Sequence, residues 1–203
     1  WVVEDDYDSE FRFSGQPIPS LQGLAPEAPV IYVGTFSKTL YPGLRTAYMV
    51  LPPALVDRLG AAQMELYRGG HLLTQAALAE FIDSGHYAAH IRRMRLIYGQ
   101  RRARLVELVS QELGPEWIHP FDSNAGLHLV MSLPAPHQDV AIARRAREAG
   151  VLVRPLSRYY ERGPAQQGLL LGFAAVPEAQ MAQPLRALVG VLAPATFSKR
   201  PAR

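Results

Sequence analysis

The stretch that decides the fold is residues 30–45, which read Val30-Ile31-Tyr32-Val33-Gly34-Thr35-Phe36-Ser37-Lys38-Thr39-Leu40-Tyr41-Pro42-Gly43-Leu44-Arg45. Its first four residues form a continuous apolar, β-branched run, which is the pattern of a parallel strand buried on both faces. Lys38 follows this run in a polar segment, and Arg45 follows Lys38. Ligands of open parallel sheets bind outside the carboxyl ends of the strands. The stretch therefore predicts an α/β fold with a binding site just after this strand.

A second strand brings acidic and phenolic groups to the same edge of the sheet. Trp1-Val2-Val3 leads directly into Glu4-Asp5-Asp6-Tyr7-Asp8. Side chains of a strand alternate between its two faces, so Asp5 and Tyr7 point to one side and Glu4 and Asp6 to the other. We expect Asp5 and Tyr7 to converge with Lys38 and Arg45. Because the chain starts with Trp1 inside a strand, we also expect it to be a fragment of a longer protein.

Outward from these two strands, the hydrophobic pattern predicts two α/β units. In the first unit, a third strand at 46–51 precedes helices at 54–67, 71–83 and 86–113. In the second unit, strands at 127–133, 151–153 and 169–174 alternate with helices at 139–149 and 177–192. We predict domains at 1–90 and 91–193, followed by a frayed basic tail at 194–203.

Composition excludes several classes of protein. The chain has 203 residues, 48% of them hydrophobic and 19% charged, which is typical of a folded domain. No apolar run reaches the ~18 residues of a membrane-spanning helix. With no cysteine, the chain has neither disulfides nor zinc-thiolate sites, and we expect a cytoplasmic protein. The net charge of +3 is too small to indicate nucleic-acid binding, and the arginines at 92–104 are interpreted as the solvated face of an amphipathic helix.

The groups gathered after the first two strands match the needs of pyridoxal phosphate. A lysine amine such as that of Lys38 can form a Schiff base with the cofactor aldehyde. A carboxylate such as Asp5 keeps the pyridine nitrogen protonated, so that the ring acts as an electron sink. A phenol such as Tyr7 can hydrogen-bond the ring oxygen. The hydroxyls of Thr35 and Ser37 and the guanidinium of Arg45 can hold the phosphate.

Each of these residues also has a structural interpretation when taken alone. A loop lysine is usually a solvated charge, Arg45 can serve as an ion-pair partner, and Tyr7 can form part of a core wall. Asp6, Asp8 and Glu10 have the spacing of alternate metal ligands, but Phe11 stands where a calcium loop needs glycine. A nucleotide P-loop is excluded because no glycine directly precedes Lys38. We therefore predict no metal site.

Five stretches carry a resemblance to a known family: 4–13, 32–45, 75–81, 90–98 and 155–160. They resemble fold-type I pyridoxal-phosphate enzymes and, more narrowly, the aminotransferase-like domain of MocR-type regulators of the GntR family. The resemblance implies that Lys38 forms the internal aldimine, that Asp5 partners the pyridine nitrogen and that Tyr7 partners the ring oxygen. It implies that Arg45 and Thr35 bind the phosphate, with Ser37 as a weaker candidate. The implied fold is the C-terminal part of the large domain, with a mainly parallel sheet, plus a small α/β C-terminal domain.

One departure from the family pattern concerns the substrate. Aminotransferases of this class commonly carry an arginine near the start of the C-terminal strand that clamps the substrate carboxylate. Here that strand reads Leu169-Leu170-Leu171-Gly172-Phe173-Ala174, without arginine. Arg154 and Arg158 are the candidate substitutes. The chain's status as an enzyme therefore stays open.

The resemblance implies an effector domain of a transcriptional regulator. Its expected ligand is an amine or amino acid, its expected assembly is a homodimer, and it would contact DNA only through an N-terminal winged helix-turn-helix that these residues lack. The first alternative is a genuine class I/II aminotransferase acting on an amino acid. The second is a degenerate scaffold that binds no cofactor.

Overall fold

The computed structural model describes residues 1–25, 27–68, 70–119 and 125–192, and the chain divides into two compact units. The first unit contains Trp1–Leu96 together with Gly126, and the second continues from Ile97. The predicted boundary at 90/91 lies a few residues earlier. A single long helix begins in the first unit and ends in the second. The predicted tail at 194–203 lies outside the described residues.

The first unit is built on a three-stranded sheet in the order β1-β2-β3. Its strands are β1 (Val2–Asp6), β2 (Val30–Thr35) and β3 (Ala47–Val50). β1 pairs with β2 in parallel and β3 pairs with β2 antiparallel, so the described sheet is mixed. In the parallel pair Asp5 lies opposite Val33 and Asp6 opposite Gly34. The carboxyl ends of β1 and β2 therefore meet at one edge, as the sequence predicts.

Helices follow the strands of the first unit. They are α1 (Leu21–Leu24), α2 (Phe36–Thr39), α3 (Pro53–Tyr67), α4 (Leu72–Asp83) and α5 (His86–Glu112). Proline at the start of α3 suits the first helical turn, where no backbone N–H is needed, and Arg68 ends that helix in a left-handed conformation with φ 44°. The three long helices predicted from periodicity are confirmed to within one residue at each end.

The second unit has an antiparallel sheet in the order β4-β6-β5. Its elements are β4 (His128–Ser132), α6 (Asp139–Glu148), β5 (Arg154–Pro155), β6 (Gly168–Gly172) and α7 (Ala182–Leu192). The strand predicted at 151–153 is wrong by several residues. The Val151 N–H still bonds to the Ala146 carbonyl as part of the helix end, so that pairing with β6 begins only at Arg154.

The helix predicted at 177–192 is divided in the structure. A 3-10 turn at Glu178–Gln180 precedes α7, and Pro184 lies in the first turn of α7. Proline is tolerated there because the first N–H groups of a helix have no partner inside it. The hydrophobic periodicity thus predicts α7 correctly but extends the helix over the residues that form the 3-10 turn.

The core of the second unit lies between its sheet and the apolar faces of its helices. Fully buried side chains include Leu129, Met131, Leu169, Phe173 and Leu188. In the first unit the buried apolar residues include Phe11, Val30, Leu78 and Ile91. No helix within the described ranges is both long and apolar enough to cross a membrane.

Candidate functional site

The two faces of β1 have different neighbours. On one face, the Glu4 carboxylate accepts hydrogen bonds from the Leu21 and Gln22 N–H groups, at 2.9 and 3.1 Å, at the start of α1. On the same face, Asp6 Oδ2 accepts a hydrogen bond of 2.8 Å from the Tyr32 hydroxyl. The carboxylates of Glu4 and Asp6 therefore stabilise the fold through hydrogen bonds.

Ser9 adds two further bonds to Asp6. The Ser9 N–H donates to Asp6 Oδ1 at 3.2 Å and the Ser9 hydroxyl donates to Oδ2 at 2.6 Å. These bonds form the turn that follows β1. Burial raises the pKa of Tyr32, and the hydrogen bond to Asp6 acts in the same direction. The Tyr32 phenol therefore stays protonated and remains a donor.

Asp5 lies on the opposite face of β1. Its side chain is exposed, and it makes no hydrogen bond or ion pair to any other residue that the structure describes. Tyr7 follows the end of β1 and is 43% exposed. Asp6 and Asp5 therefore differ in role, as strand alternation predicts. The Asp6 carboxylate is hydrogen-bonded within the fold, whereas the Asp5 carboxylate makes no bond to a described residue.

Lys38 lies in α2, a single helical turn that begins where β2 ends. Thr35 caps this turn, because its Oγ1 accepts a hydrogen bond of 3.1 Å from the Ser37 N–H. The Thr35 hydroxyl also donates to the Thr46 carbonyl at 3.3 Å, which ties α2 to the start of β3. Its one proton is thus already used, so a phosphate-binding role for Thr35 would require it to release Thr46.

Ser37 and Arg45 are better placed to bind a ligand than Thr35. The Ser37 hydroxyl and the Arg45 guanidinium have no hydrogen bond to the rest of the described chain, and Arg45 is exposed. Arg45 adopts a left-handed conformation with φ 50° at the end of the 3-10 turn Pro42–Leu44. The family resemblance implies Thr35 as the stronger phosphate candidate and Ser37 as the weaker one, and both roles stay predictions.

An aromatic cluster that sequence reasoning missed supports α2. Tyr48 packs against Phe36 at 5.3 Å and against Tyr32 at 6.1 Å between ring centroids, and Tyr87 meets Phe36 edge to face at 5.8 Å. The Tyr48 ring crosses Gly34 so closely that a Cβ there would lie 2.4 Å from it. Gly34, in the middle of the deciding stretch, was the available signal: a glycine in a strand marks a close approach.

Polar groups from α5 complete this support. His90 Nε2 lies 2.9 Å from the Thr39 carbonyl oxygen, and Thr39 is buried. Burial raises the pKa of Tyr87, while a hydrogen bond with Thr39 acts in the opposite direction. The turn that carries Lys38 is thus anchored by α5, although nothing in the sequence spacing links residues 39 and 90.

Glu10 lies near this network and has an unusual environment. Burial raises its pKa, and the charges of Asp6 and Asp8 raise it further, whereas Arg95 lowers it. Arg95 Nε donates a hydrogen bond of 2.8 Å to the Glu10 carbonyl. Glu10 therefore belongs to the packing beneath the candidate site.

The spacing of Asp6, Asp8 and Glu10 does not create a metal site in the part of the chain that the structure describes. No group of three or more His, Asp or Glu side chains there is placed to hold a metal ion. Phe11 is fully buried and its backbone bonds to Asp8 and Gly126. The acidic run is therefore followed directly by a residue that is buried in the core.

β6 carries no arginine, as its sequence shows, and its Leu169 and Leu171 side chains are buried. Of the two candidate substitutes, Arg154 lies in β5 and Arg158 in the 3-10 turn Leu156–Tyr159. Both are exposed. A substrate-binding role for either residue stays a prediction.

The donor set at the carboxyl ends of β1 and β2 fits pyridoxal phosphate. It combines an amine, a carboxylate, a hydroxyl and a guanidinium, from Lys38, Asp5, Ser37 and Arg45. None of these four side-chain groups makes a hydrogen bond or an ion pair with another described residue. This is the combination that a cofactor with an aldehyde, a basic ring nitrogen and a phosphate requires.

Fold and site together define an aminotransferase-like domain. Residues 2–188 match the family "Aminotransferase class I and II", and the chain belongs to that family. It is similar to the α-aminoadipate aminotransferase LysN from Thermus thermophilus, solved with N-(5'-phosphopyridoxyl)-L-leucine. The TM-score is 0.82 with 30% identity, over 94% of this chain and 49% of LysN. The predicted fold class and cofactor class are confirmed.

Two regulators are similar in sequence over most of this chain. The "Probable rhizopine catabolism regulatory protein MocR" of Rhizobium meliloti is 42% identical over 93% of this chain and 38% of its own length. The "Uncharacterized HTH-type transcriptional regulator YdeL" of Bacillus subtilis is 40% identical over 93% of this chain and 40% of its own length. The predicted resemblance to MocR-type regulators is confirmed. The chain spans well under half the length of these two relatives.

Proposed function

We propose that the chain is the pyridoxal-phosphate-binding effector domain of a MocR-type, GntR-family transcriptional regulator. The observation that carries the proposal is the parallel pairing of β1, which holds Asp5, with β2, which leads into Lys38, together with the absence of hydrogen bonds from both side chains to other described residues. The similarity to MocR-type regulators, higher in identity than that to LysN, favours a regulator over an enzyme. In this proposal DNA contact belongs to a winged helix-turn-helix outside these residues, and the protein acts in the cytoplasm as a homodimer.

Each proposed site residue has one task. Lys38 Nζ would hold the cofactor through its aldehyde carbon, with the aldehyde oxygen leaving as water, and the Asp5 carboxylate would keep a proton on the pyridine nitrogen. Ser37 and Arg45 bind the phosphate, and Thr35 joins them only if it releases Thr46. Tyr7 orients the ring by hydrogen-bonding its oxygen. When bound, pyridoxal phosphate supplies an electron sink for carbanions.

In this proposal the two parts of the chain belong to two domains. Residues 1–90 form the C-terminal part of the large cofactor domain, and residues 91–193 form the linking helix and the small C-terminal domain. With cofactor bound, an effector amine or amino acid would take the place of Lys38 on the cofactor and leave the Lys38 amine free. The freed amine would change the interactions around α2, and a changed domain arrangement would then alter DNA affinity.

The second candidate function is transamination. Lys38 would then also move the α-proton of an amino acid as general base. The observation against it is the lack of arginine in β6, since a bidentate carboxylate clamp would be lost with that residue. The similarity to LysN is the observation in its favour.

The lysine content of the chain allows a sharp test of the cofactor site. The 203 residues contain two lysines, Lys38 and Lys199. We expect the full-length protein, incubated with pyridoxal phosphate and reduced with borohydride, to carry the label on the Lys38 peptide. A visible absorption band should accompany binding and vanish in Lys38→Ala, while Lys199→Arg should keep both band and label. Label on Lys199 alone, or no band in the wild type, would refute the site.

A second measurement separates regulator from enzyme. The full-length protein is expected to bind DNA upstream of its own gene, and amines or amino acids should change that affinity in the wild type and not in Lys38→Ala. Rapid turnover of an amino donor and an oxo acid without any DNA binding would establish the aminotransferase instead. Cofactor labelling without either property would contradict both candidate functions.

A further inference from the structure

The second unit contains a basic pocket that the proposed function does not use. It is an open cavity of about 560 Å³ between the exposed face of α6 and the segment around β5. Three guanidiniums line it, those of Arg144, Arg147 and Arg158. Its volume lies in the range of small-molecule sites.

Geometry places the three arginines around one space. Arg144 and Arg147 are three positions apart on α6 and therefore project from the same face of the helix. Arg158 reaches the pocket from the 3-10 turn Leu156–Tyr159. All three are exposed, and no carboxylate of the described residues forms an ion pair with any of them. Three permanent positive charges thus border one cavity with no carboxylate paired to them, which makes the cavity a candidate site for an anion.

A buried carboxylate holds the two walls of the pocket together. Asp139, at the start of α6, is 1% exposed. Its carboxylate accepts hydrogen bonds from the Ser157 N–H at 2.7 Å and the Ser157 hydroxyl at 2.6 Å. The Asp139 N–H donates to Gln167 Oε1 at 2.8 Å. Since Ser157 directly precedes Arg158, these bonds hold the backbone of the turn that carries Arg158 against the start of α6.

The rest of the lining indicates the kind of anion. Apolar side chains form the remaining wall, from Val140, Ala141, Ala143, Val153 and Pro155. A free inorganic ion would leave that wall in contact with water. A phosphate monoester brings close to two negative charges and three acceptor oxygens, which three guanidiniums can pair with. Its organic part can cover the apolar wall.

We propose that this pocket binds a small organophosphate, a phosphate monoester with an apolar or aromatic body. Arg144, Arg147 and Arg158 bind the phosphate, and Asp139 is a positioning residue that acts through Ser157. The pocket lies wholly within the second unit, whereas the proposed cofactor residues belong to the first.

The test uses the full-length protein with phenyl phosphate as probe, measured by titration calorimetry. The protein is first saturated with pyridoxal phosphate and reduced, so that the cofactor site is blocked. We expect saturable binding of phenyl phosphate that is tighter than that of inorganic phosphate or phenol. The Arg144→Gln/Arg147→Gln variant should bind the probe at least about tenfold more weakly, because each loses charge-assisted hydrogen bonds.

Matched controls separate this pocket from the cofactor site. Arg186→Gln removes an exposed arginine of α7 outside the pocket and should leave affinity within about twofold, since exposed charges far from a ligand are screened. Arg45→Gln should also leave it unchanged. Loss of probe binding in Arg45→Gln, or unchanged binding in the double variant, would overturn the pocket. Equal affinity for phenyl phosphate and inorganic phosphate would overturn the ligand class. If Lys38 binds no cofactor and the blocking step fails, phenyl phosphate held near Arg45 is recognised by its loss in Arg45→Gln, so failure of the cofactor site and failure of the pocket are distinguishable.

Discussion

Individual residues near the candidate site differ in whether the fold already uses their side chains: Asp6 and Thr35 are hydrogen-bonded within it, whereas Asp5 has no such bond to a described residue. Strand alternation separates Asp5 from Asp6, because it depends only on backbone geometry. It could not show that the Thr35 hydroxyl bonds to Thr46, since that contact requires the fold of β3. The roles of Asp5, Tyr7, Ser37 and Arg45 toward the cofactor stay predictions.

The two neighbouring aspartates should respond differently to the same change. Asp6→Asn removes a carboxylate oxygen that accepts from Tyr32 and Ser9, and it should lower the free energy of unfolding by about 1 kcal/mol. Asp5→Asn removes no such bond and should leave stability unchanged while weakening pyridoxal-phosphate binding. Urea unfolding and cofactor titration measure the two effects. Loss of stability in Asp5→Asn comparable to that in Asp6→Asn would contradict the assignment.

Glu10 should make stability depend on pH. Burial, and then the charges of Asp6 and Asp8, raise its pKa above 4.5 in the folded state, so the folded protein holds this proton more tightly than the unfolded chain. The contribution of protonated Glu10 to the free energy of unfolding is complete below pH 4.5, and it is lost as the pH rises through the raised pKa of Glu10.

The matched variant is Glu10→Gln, which keeps the shape and removes the titration. Relative to wild type, it should become progressively more stable as the pH rises from 4 to 8, as followed by thermal unfolding at each pH. A constant difference across this range would mean that Glu10 does not titrate abnormally.

At the scale of secondary-structure elements, long periodic segments were predictable and short strands were not. α3, α4 and α5 show helical periodicity over several turns, and their bounds agree with the structure. β5 has two paired residues, and its position depends on where β6 offers partners, which no local pattern encodes. The aromatic support of α2 was missed for the same reason, because Phe36, Tyr48 and Tyr87 come from three separate elements.

Two glycines provide a matched pair for testing that support. A Cβ at Gly34 would lie within 3 Å of the Tyr48 ring, so Gly34→Ala should destabilise the protein by about 1–3 kcal/mol and loosen cofactor binding. A Cβ at Gly60, inside α3, meets nothing within 4 Å. Gly60→Ala should therefore stabilise the protein by about 0.5–1 kcal/mol. Equal effects of the two substitutions, compared by urea unfolding, would rule out the tight Gly34–Tyr48 packing.

At the scale of the whole chain, the sequence beyond Gly114-Pro115 changes to shorter strands that alternate with helices, and this change predicts a second α/β unit. The structure has two compact units, and the first ends its main segment at Leu96. The basic pocket was not predictable. Arg144 and Arg147 look like the solvated face of α6 until the fold brings Arg158 beside them, and the Asp139–Ser157 contact that does so joins residues eighteen positions apart.

The two units should respond separately to loss of the Asp139 hydrogen bonds. Asp139→Ala leaves the buried Ser157 and Gly168 N–H groups without their acceptor and should cost on the order of 3 kcal/mol locally. Hydrogen–deuterium exchange should accelerate in peptides covering residues 139–168 and stay unchanged in residues 30–50. Asp57→Ala, at an exposed position of α3, is the control. Uniform acceleration throughout the chain would show that the two units unfold as one.

The position of β1 in its sheet has a practical consequence for handling these residues in isolation. Among the described strands β1 pairs only with β2, and its Val3 side chain is 64% exposed. A strand with an open row of backbone donors and acceptors is a template for another strand, and the carboxylates of Glu4, Asp5 and Asp6 on β1 oppose such pairing. Purified on their own, these 203 residues should self-associate weakly through this edge as concentration rises. A lysine introduced by Val3→Lys would oppose that association by putting charge on the open edge.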